Sequence, residues 1–268
     1  MKKILTVGLT LLMVVGLIAG CSSSKVSGTV KMAGSTSMEE LAKALGESFT
    51  EKNSDCTVDV QAGGSGAGYT QVTGGSVDLG NMSRDLKDSE KNDTLTATVV
   101  AIDGIAIVVN PSNSVTSLTS AQIISIYTGA ITNWNQVGGA DQEIVVIGRE
   151  AGSGTRDGFE SILKVADKCK YDAEMTETGS VKSTVASTTG AVGYISLGYV
   201  DSTVKALTVD GVAPSTKTVQ DGTYTIQRNF NMVMLKSNTN EAAKAFLEYV
   251  LSDEGQKIVE QMHFVPVK

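Results

Sequence analysis

Short apolar, β-branched runs alternate along the chain with stretches of helical period. Runs of strand character are Thr29–Ala33, Thr57–Gln61, Thr98–Ile102, Ile105–Asn110, Ile144–Ile147, Val192–Ile195 and Phe230–Leu235, each bounded by turn-forming or polar residues. In Met38–Glu51 the residues Met38, Leu41, Ala42, Leu45 and Phe49 recur at i, i+3, i+4 spacing, the stripe of an amphipathic helix. Ser120–Tyr127, Arg156–Val165, Val181–Ser187, Glu241–Leu251 and Asp253–Gln261 are further predicted helices. Strands alternating with helices predict an α/β fold of mixed sheets flanked by helices.

Two strand-like stretches stand out as crossings between lobes, Asp103–Pro111 and Ile226–Val233. If the chain crosses at both, residues 28–106 plus 230–268 form one lobe and residues 107–229 the other. A single continuous sheet is the alternative, and periodicity does not separate the two.

The first residues have a different pattern. Lys2 and Lys3 precede an apolar run from Ile4 to Ala19, followed by Gly20 and Cys21, the order of a secretory signal peptide. The run is shorter than the roughly 20 residues a membrane-spanning helix needs. Leu17-Ile18-Ala19-Gly20-Cys21 resembles a bacterial lipobox, so residues 1–20 are expected to be removed and Cys21 to carry lipid. Residues 21–27 are then the lipidated cysteine and a flexible tether, read from Ser22-Ser23-Ser24-Lys25. An uncleaved anchor helix is the alternative; either way the body is expected outside the cytoplasm, and with Cys21 lipidated it is anchored to the outer face of the cell membrane.

Removing residues 1–20 from 268 leaves 248, enough for one large or two smaller domains. Loss of Lys2 and Lys3 takes the net charge from −7 to −9. An acidic surface argues against nucleic acid as a partner, while leaving room for a small anion in a closed site held by local dipoles. Cys56 and Cys169 are expected as two separate buried thiols, and the chain as a monomer.

Three small-residue loops sit where a strand gives way to a helix: Ala33–Ser37, Gly63–Gly68 and Arg149–Thr155. The first N–H groups of a helix lack intrahelical acceptors, and the macrodipole there favours negative charge. Glycine allows close backbone approach, and hydroxyls add donors. Each loop also has a plain structural reading. Ser37-Met38-Glu39-Glu40 fits a capping box, Gly63–Gly68 a turn, and Ser153 or Thr155 a cap. Three such loops in one chain, the third opened by an arginine, point to an oxyanion site. Arg149 offers a planar fork for two oxyanion oxygens; a surface ion pair with Glu150 or Asp157 is its alternative. Arg84 and Arg156 are weaker candidates, at least one of them structural. Asp78 and Asp103 are expected to bind loop amides.

An enzyme is not expected. The single histidine, His263, lies near the C-terminus with no G-x-S-x-G elbow. Gly63–Gly68 lacks the lysine of a nucleotide-binding P-loop, and no His/Cys cluster has metal-ligand spacing. No metal or cofactor is predicted.

Taken together with their flanks, these loops resemble the phosphate-binding proteins of ABC importers over nearly the whole mature chain. Gly34-Ser35-Thr36-Ser37-Met38, Gly63-Gly64-Ser65-Gly66, Val77-Asp78-Leu79-Gly80, Asp103-Gly104-Ile105 and Arg149–Thr155 follow the family's order. Tyr127–Trp134, Gly190–Tyr194 and Leu251–Gln256 also match and are assigned to the scaffold. The resemblance implies a two-lobed periplasmic-binding-protein-like fold of type II with inorganic phosphate in the interlobe cleft. The implied ligands are Thr36, Ser37, Ser65, Ser83, Arg149, Ser153, Gly154 and Thr155. The implied partners are the permease and ATPase subunits of an ABC importer. One departure bears on selectivity. Many members have, where Ser83 stands, an aspartate that accepts the proton of hydrogen phosphate and repels sulfate. Sulfate or molybdate receptors are the nearest competing reading; an exported hydrolase or a surface sensor lies further off.

Overall fold

The computed structural model describes residues 26–268; the predicted signal peptide, Cys21 and most of the tether lie outside the described residues. In chain order the elements are β1 Gly28–Gly34, α1 Glu39–Lys52, β2 Cys56–Ala62, α2 Gly64–Thr73, β3 Leu79–Met82, β4 Leu95–Val109 and β5 Ser117–Leu118. There follow α3 Ser120–Tyr127, β6 Val145–Arg149, α4 Gly154–Ile162, β7 Ala173–Met175, α5 Thr178–Ser187 and β8 Ala191–Ser196. The remainder is β9 Lys205–Ala206, β10 Thr208–Val209, α6 Thr216–Gln220, β11 Gln227–Leu235, α7 Glu241–Val250 and α8 Asp253–Gln261.

Along the sheet the strands run β2-β1-β3-β11-β4-β8-β6-β7, with β9 on β4 and a separate β5–β10 pair. β1 is parallel to β2 and β3, β11 is antiparallel to β3 and β4, and β6 is parallel to β7 and β8. The sheet is therefore mixed, as expected, and its parallel strands carry the crossover helices that such pairing requires.

β4 joins the two ends of this array. Leu95–Gly104 pairs with β11, whereas Ile105–Val109 pairs with β8. The sequence suggested two strands broken at Asp103-Gly104, a charged residue beside a glycine; the structure has one strand of 15 residues. Asp103 is tolerated inside it because its carboxylate is paired. Hydrogen bonding is continuous along β4, and its partner changes from β11 to β8 between Gly104 and Ile105.

Separate apolar cores form on either side of that change. Val30, Met32, Leu41, Leu45, Phe49, Phe230, Phe246 and Val259 pack together under α1, α7 and α8. Ile105, Ile107, Tyr127, Trp134, Phe159, Tyr194 and Tyr224 form another core. In the latter the Phe159 and Tyr194 rings stack at 4.2 Å. The motifs assigned to the scaffold have that role. The Trp134 indole donates to the Gly190 carbonyl at 2.9 Å, and buried Gln256 donates to the carbonyls of Val100 and Val250.

Gly63–Gly68 is not a loop. α2 begins at Gly64, and a glycine-rich helix of low propensity persists because it lies directly on the sheet. A Cβ on Gly68 would stand 2.8 Å from the Ala33 carbonyl oxygen. Cys56 and Cys169 are free, the former buried and the latter only half-buried, correcting the expectation of two buried thiols. Burial pushes both thiols up. Among the described residues no helix is long and apolar enough to cross a membrane.

Candidate functional site

Four helix N-termini meet beside the point where β4 changes partners, and each brings a hydroxyl. Thr36 and Ser37 lie in the turn from β1 to α1, and Ser65 in the first turn of α2. Thr155 lies in the first turn of α4, and Thr178 opens α5. Ser83 follows β3, and Arg149 ends β6. These are the carboxyl ends of strands in an open α/β sheet, the usual place for a ligand. Ser37, Ser65 and Ser83 have no exposed surface, and Thr155, Thr178 and Arg149 are about as deeply buried.

The predicted residues come together as one network. Ser37 Oγ lies 2.8 Å from Thr155 Oγ1 and 3.2 Å from Thr178 Oγ1. Thr36 Oγ1 lies 3.0 Å from Thr178 Oγ1 and accepts from the Thr178 amide at 3.2 Å. Ser65 Oγ accepts from the Ser83 amide at 3.0 Å, with the two hydroxyls 3.3 Å apart. Gly154 is pressed against this pair: a Cβ there would stand 2.2 Å from Ser65 Oγ and 2.5 Å from Ser83 Oγ. The position therefore demands glycine, and the Gly154 and Thr155 amides open α4 without intrahelical acceptors. Ser37 does not cap α1; Met38 is the N-cap, with no side-chain bond. Ser153 is the exception, since its hydroxyl caps α4 by accepting from the Arg156 amide at 3.4 Å.

Arg149 is fixed by neutral acceptors. Its guanidinium donates to the carbonyls of Met175 and Thr176 and to Thr178 Oγ1, at 3.1, 2.9 and 3.1 Å. Its amide donates to the Tyr194 hydroxyl. Among the described residues no carboxylate forms an ion pair with it. Asp157, one suggested partner, instead meets Arg84 and Lys87 at 2.8 and 2.9 Å. Burial first, and nearby Arg228 with it, lower the Arg149 guanidinium to about 10 against the attraction of Tyr194.

Sequence reasoning missed two members of the cage, Thr178 and Arg228. Arg228, on β11, donates to Ser83 Oγ at 3.3 Å, to Ser37 Oγ at 3.2 Å and to Asp103 Oδ2 at 2.8 Å. Its signal was alternation: in β11 it shares the strand period with buried Phe230 and Met232. Thr178 lies just before the predicted helix Val181–Ser187, and the structure begins α5 there. Asp103 accepts from Ser196 Oγ and the Leu197 amide as well as from Arg228. Burial raises its carboxyl and lowers the Arg228 guanidinium against their mutual attraction.

The weaker candidates are structural. Arg84 pairs with Glu90 and Asp157, and Arg156 with Glu160 and Glu174. Asp78 accepts from the Lys31 amide and from Asn238. An open cleft of about 780 Å³, lined in part by Arg84, Lys87, Asp157 and Arg228, lies beside the cage rather than in it. His263 is exposed at the end of α8, and no cluster of metal-ligating side chains occurs among the described residues.

The arrangement therefore holds two guanidinium groups, one carboxylate behind them and a shell of hydroxyls and helix-start amides. Such a set can surround a small tetrahedral oxyanion. The fold and cage define the class: residues 19–254 match the PBP superfamily domain, and the architecture is the two-lobed periplasmic-binding-protein-like fold of type II. The Bacillus subtilis phosphate-binding protein PstS is 38% identical over 249 residues, covering 91% of this chain and 82% of that protein. A Clostridium perfringens structure described as a phosphate ABC transporter substrate-binding protein with bound phosphate is 40% identical. It has a TM-score of 0.88, covering 90% of this chain and all of that one. An ABC-type phosphate transport receptor from Vibrio cholerae is 36% identical with a TM-score of 0.74, covering 88% and 99% of the two chains. The chain belongs to the PstS family of phosphate-binding proteins. These relatives are binding proteins and not enzymes, as the sequence led us to expect.

Proposed function

We propose that this chain is an extracytoplasmic lipoprotein that binds inorganic phosphate between two lobes and delivers it to an ABC-type permease. The observation that carries this reading is Arg149, buried to 1% exposure and without a carboxylate partner among the described residues. A buried charge is costly unless something of opposite sign reaches it. An anion seated among Thr36, Ser37, Ser65, Ser83, Gly154 and Thr155 supplies that charge, with Ser153 holding α4 in place. The family relationship makes phosphate the first choice of anion.

In this reading residues 28–106 plus 230–268 form one lobe and 107–229 the other, with β4 and the start of β11 as crossings. Contacts such as Gly66 N–H to the Gly152 carbonyl, 3.0 Å, and the Tyr199 hydroxyl to the Thr36 carbonyl, 2.7 Å, then join lobe to lobe. They favour closure around the ligand, because only contacts better made in the closed state shift that equilibrium. Cys21 carries lipid, which keeps a monomeric receptor on the outer face of the membrane, near the permease and ATPase subunits.

The test is uptake of radiolabelled phosphate by cells whose importer has this chain as its only receptor. Uptake is expected to fall sharply with Arg149→Met, and Cys21→Ala is expected to shed the protein into the medium. Uptake unaffected by loss of the chain would refute the transport role.

A further inference from the structure

Behind the cage a ring of hydrogen bonds begins and ends on the backbone of one residue, Arg149. Its carbonyl accepts from Arg156 Nη1 at 3.0 Å, and Arg156 Nε donates to Glu160 Oε1 at 2.8 Å. The Tyr171 hydroxyl donates to the same carboxylate oxygen at 2.9 Å and lies 3.1 Å from the Tyr194 hydroxyl. Tyr194 closes the ring by accepting from the Arg149 amide at 3.1 Å. Packing holds these links in place. The Arg156 guanidinium lies 4.9 Å over the Tyr171 ring, and that ring covers Gly148, where a Cβ would stand 2.3 Å from it. Arg156 has a further arm: Nη1 also donates to Glu174 Oε1 at 2.9 Å. Glu174 is on β7, which pairs with β6 in the register Gly148 to Glu174 and Arg149 to Met175. The Met175 carbonyl is one of the acceptors that aim the Arg149 guanidinium.

We propose that Arg156 is a positioning residue for the oxyanion: by closing this ring it fixes where the Arg149 fork points relative to the start of α4. The inference rests on the receptor reading above. One guanidinium ties together the end of β6 that carries Arg149, the strand that supplies its acceptors, and the helix that presents the Gly154 and Thr155 amides. The Arg156 side chain itself is hydrogen-bonded to none of the cage hydroxyls Thr36, Ser37, Ser65, Ser83 and Thr155, so it acts through Arg149. Arg149 needs such support because the acceptors that orient it are two backbone carbonyls and a hydroxyl, with no carboxylate among the described residues. Its aim therefore follows the placement of the backbone. A fork that is already aimed loses less freedom when the anion arrives, and two parallel bonds to an oxyanion require that aim. The arms of Arg156 differ in weight. Glu174 is about half-exposed and adds little, whereas Glu160 is nearly buried. The bonds to Glu160 and to the Arg149 carbonyl carry the effect.

The experiment is a double-mutant cycle read by calorimetric titration of the full chain in mild detergent with inorganic phosphate. Arg156→Met is expected to weaken phosphate about tenfold in the wild-type background. In an Arg149→Lys background, which has no fork left to aim, the same change should cost less than about twofold. Arg156→Lys keeps the positive charge and loses the planar fork, so its affinity should stay within about threefold of Arg156→Met. Tyr171→Phe opens the ring on its far side by removing one oxygen. It should weaken phosphate about threefold, with the effect again lost in Arg149→Lys. This variant decides the question if Arg156→Met fails to fold, which the melting temperature of the unliganded protein reports. Equal losses in both backgrounds mark a merely structural role and overturn the inference. Wild-type affinity in Arg156→Lys, or in both Arg156→Met and Tyr171→Phe, overturns it as well. Each of these outcomes leaves the receptor reading standing. A folded wild type that binds no phosphate overturns the receptor reading and the inference with it.

Discussion

Replacing Gly154 with alanine places a methyl group where two serine hydroxyls already stand. The new Cβ would lie 2.2 Å from Ser65 Oγ and 2.5 Å from Ser83 Oγ, respectively 1.2 and 0.9 Å short of the 3.4 Å at which ordinary contact begins. Rotating Ser65 away offers little relief, because its own Cβ is 3.1 Å from the methyl and its oxygen holds the Ser83 amide. The start of α4 must retreat instead. That stretches the Ser37–Thr155 contact of 2.8 Å and the Gly66–Gly152 bond of 3.0 Å. Overpacking costs about 1–3 kcal/mol, and each weakened hydrogen bond about 1 kcal/mol. With two such bonds the total of roughly 3–5 kcal/mol corresponds to a loss of about 150- to 5,000-fold in phosphate affinity. On the proposed two-lobe reading the loss falls on the closed state, since an open unliganded protein relieves the clash. Calorimetry should therefore show the weakened affinity, while the urea midpoint of the unliganded protein changes little. Affinity within about threefold of wild type would refute the reasoning. So would a loss of unliganded stability as large as the loss of binding.

Arg149→Met should lower phosphate affinity more than about 30-fold, since one partner of a buried charge interaction is removed. The rise in melting temperature that phosphate confers on the wild type should vanish with it. Tyr199→Phe deletes the 2.7 Å bond to the Thr36 carbonyl and should weaken phosphate about fivefold, read by the same titration. Trp134→Phe loses the indole bond to Gly190 in a fully packed core. It should lower stability by about 1–3 kcal/mol in urea denaturation and leave phosphate affinity alone.

Periodicity located the parts of the fold whose stability comes from an amphipathic face. α1, α7 and α8 were legible because buried residues such as Leu41, Leu45, Phe246 and Val259 repeat at helical spacing. Where stability comes from close tertiary contact the pattern is silent. α2 has a glycine-rich start that reads as a turn, and what keeps it helical is its seat on β1 and β3. β4 looked broken because Asp103 is a charged residue in a strand, and the cation that neutralises it lies 125 residues away in sequence, at Arg228. The same long-range pairing hid Arg228 from the candidate site. Ser37, Ser65, Gly154 and Thr155 were legible because small residues mark helix starts where an anion can approach. Their plain structural alternatives were resolved by geometry: Ser153 is a cap, and Ser37 is not.

Calorimetric titration of the full chain in detergent with phosphate tests the central claim most directly. One phosphate per chain, bound tightly and displaced from the site by Arg149→Met, is the result the account predicts. A chain that is folded yet binds no phosphate would contradict it.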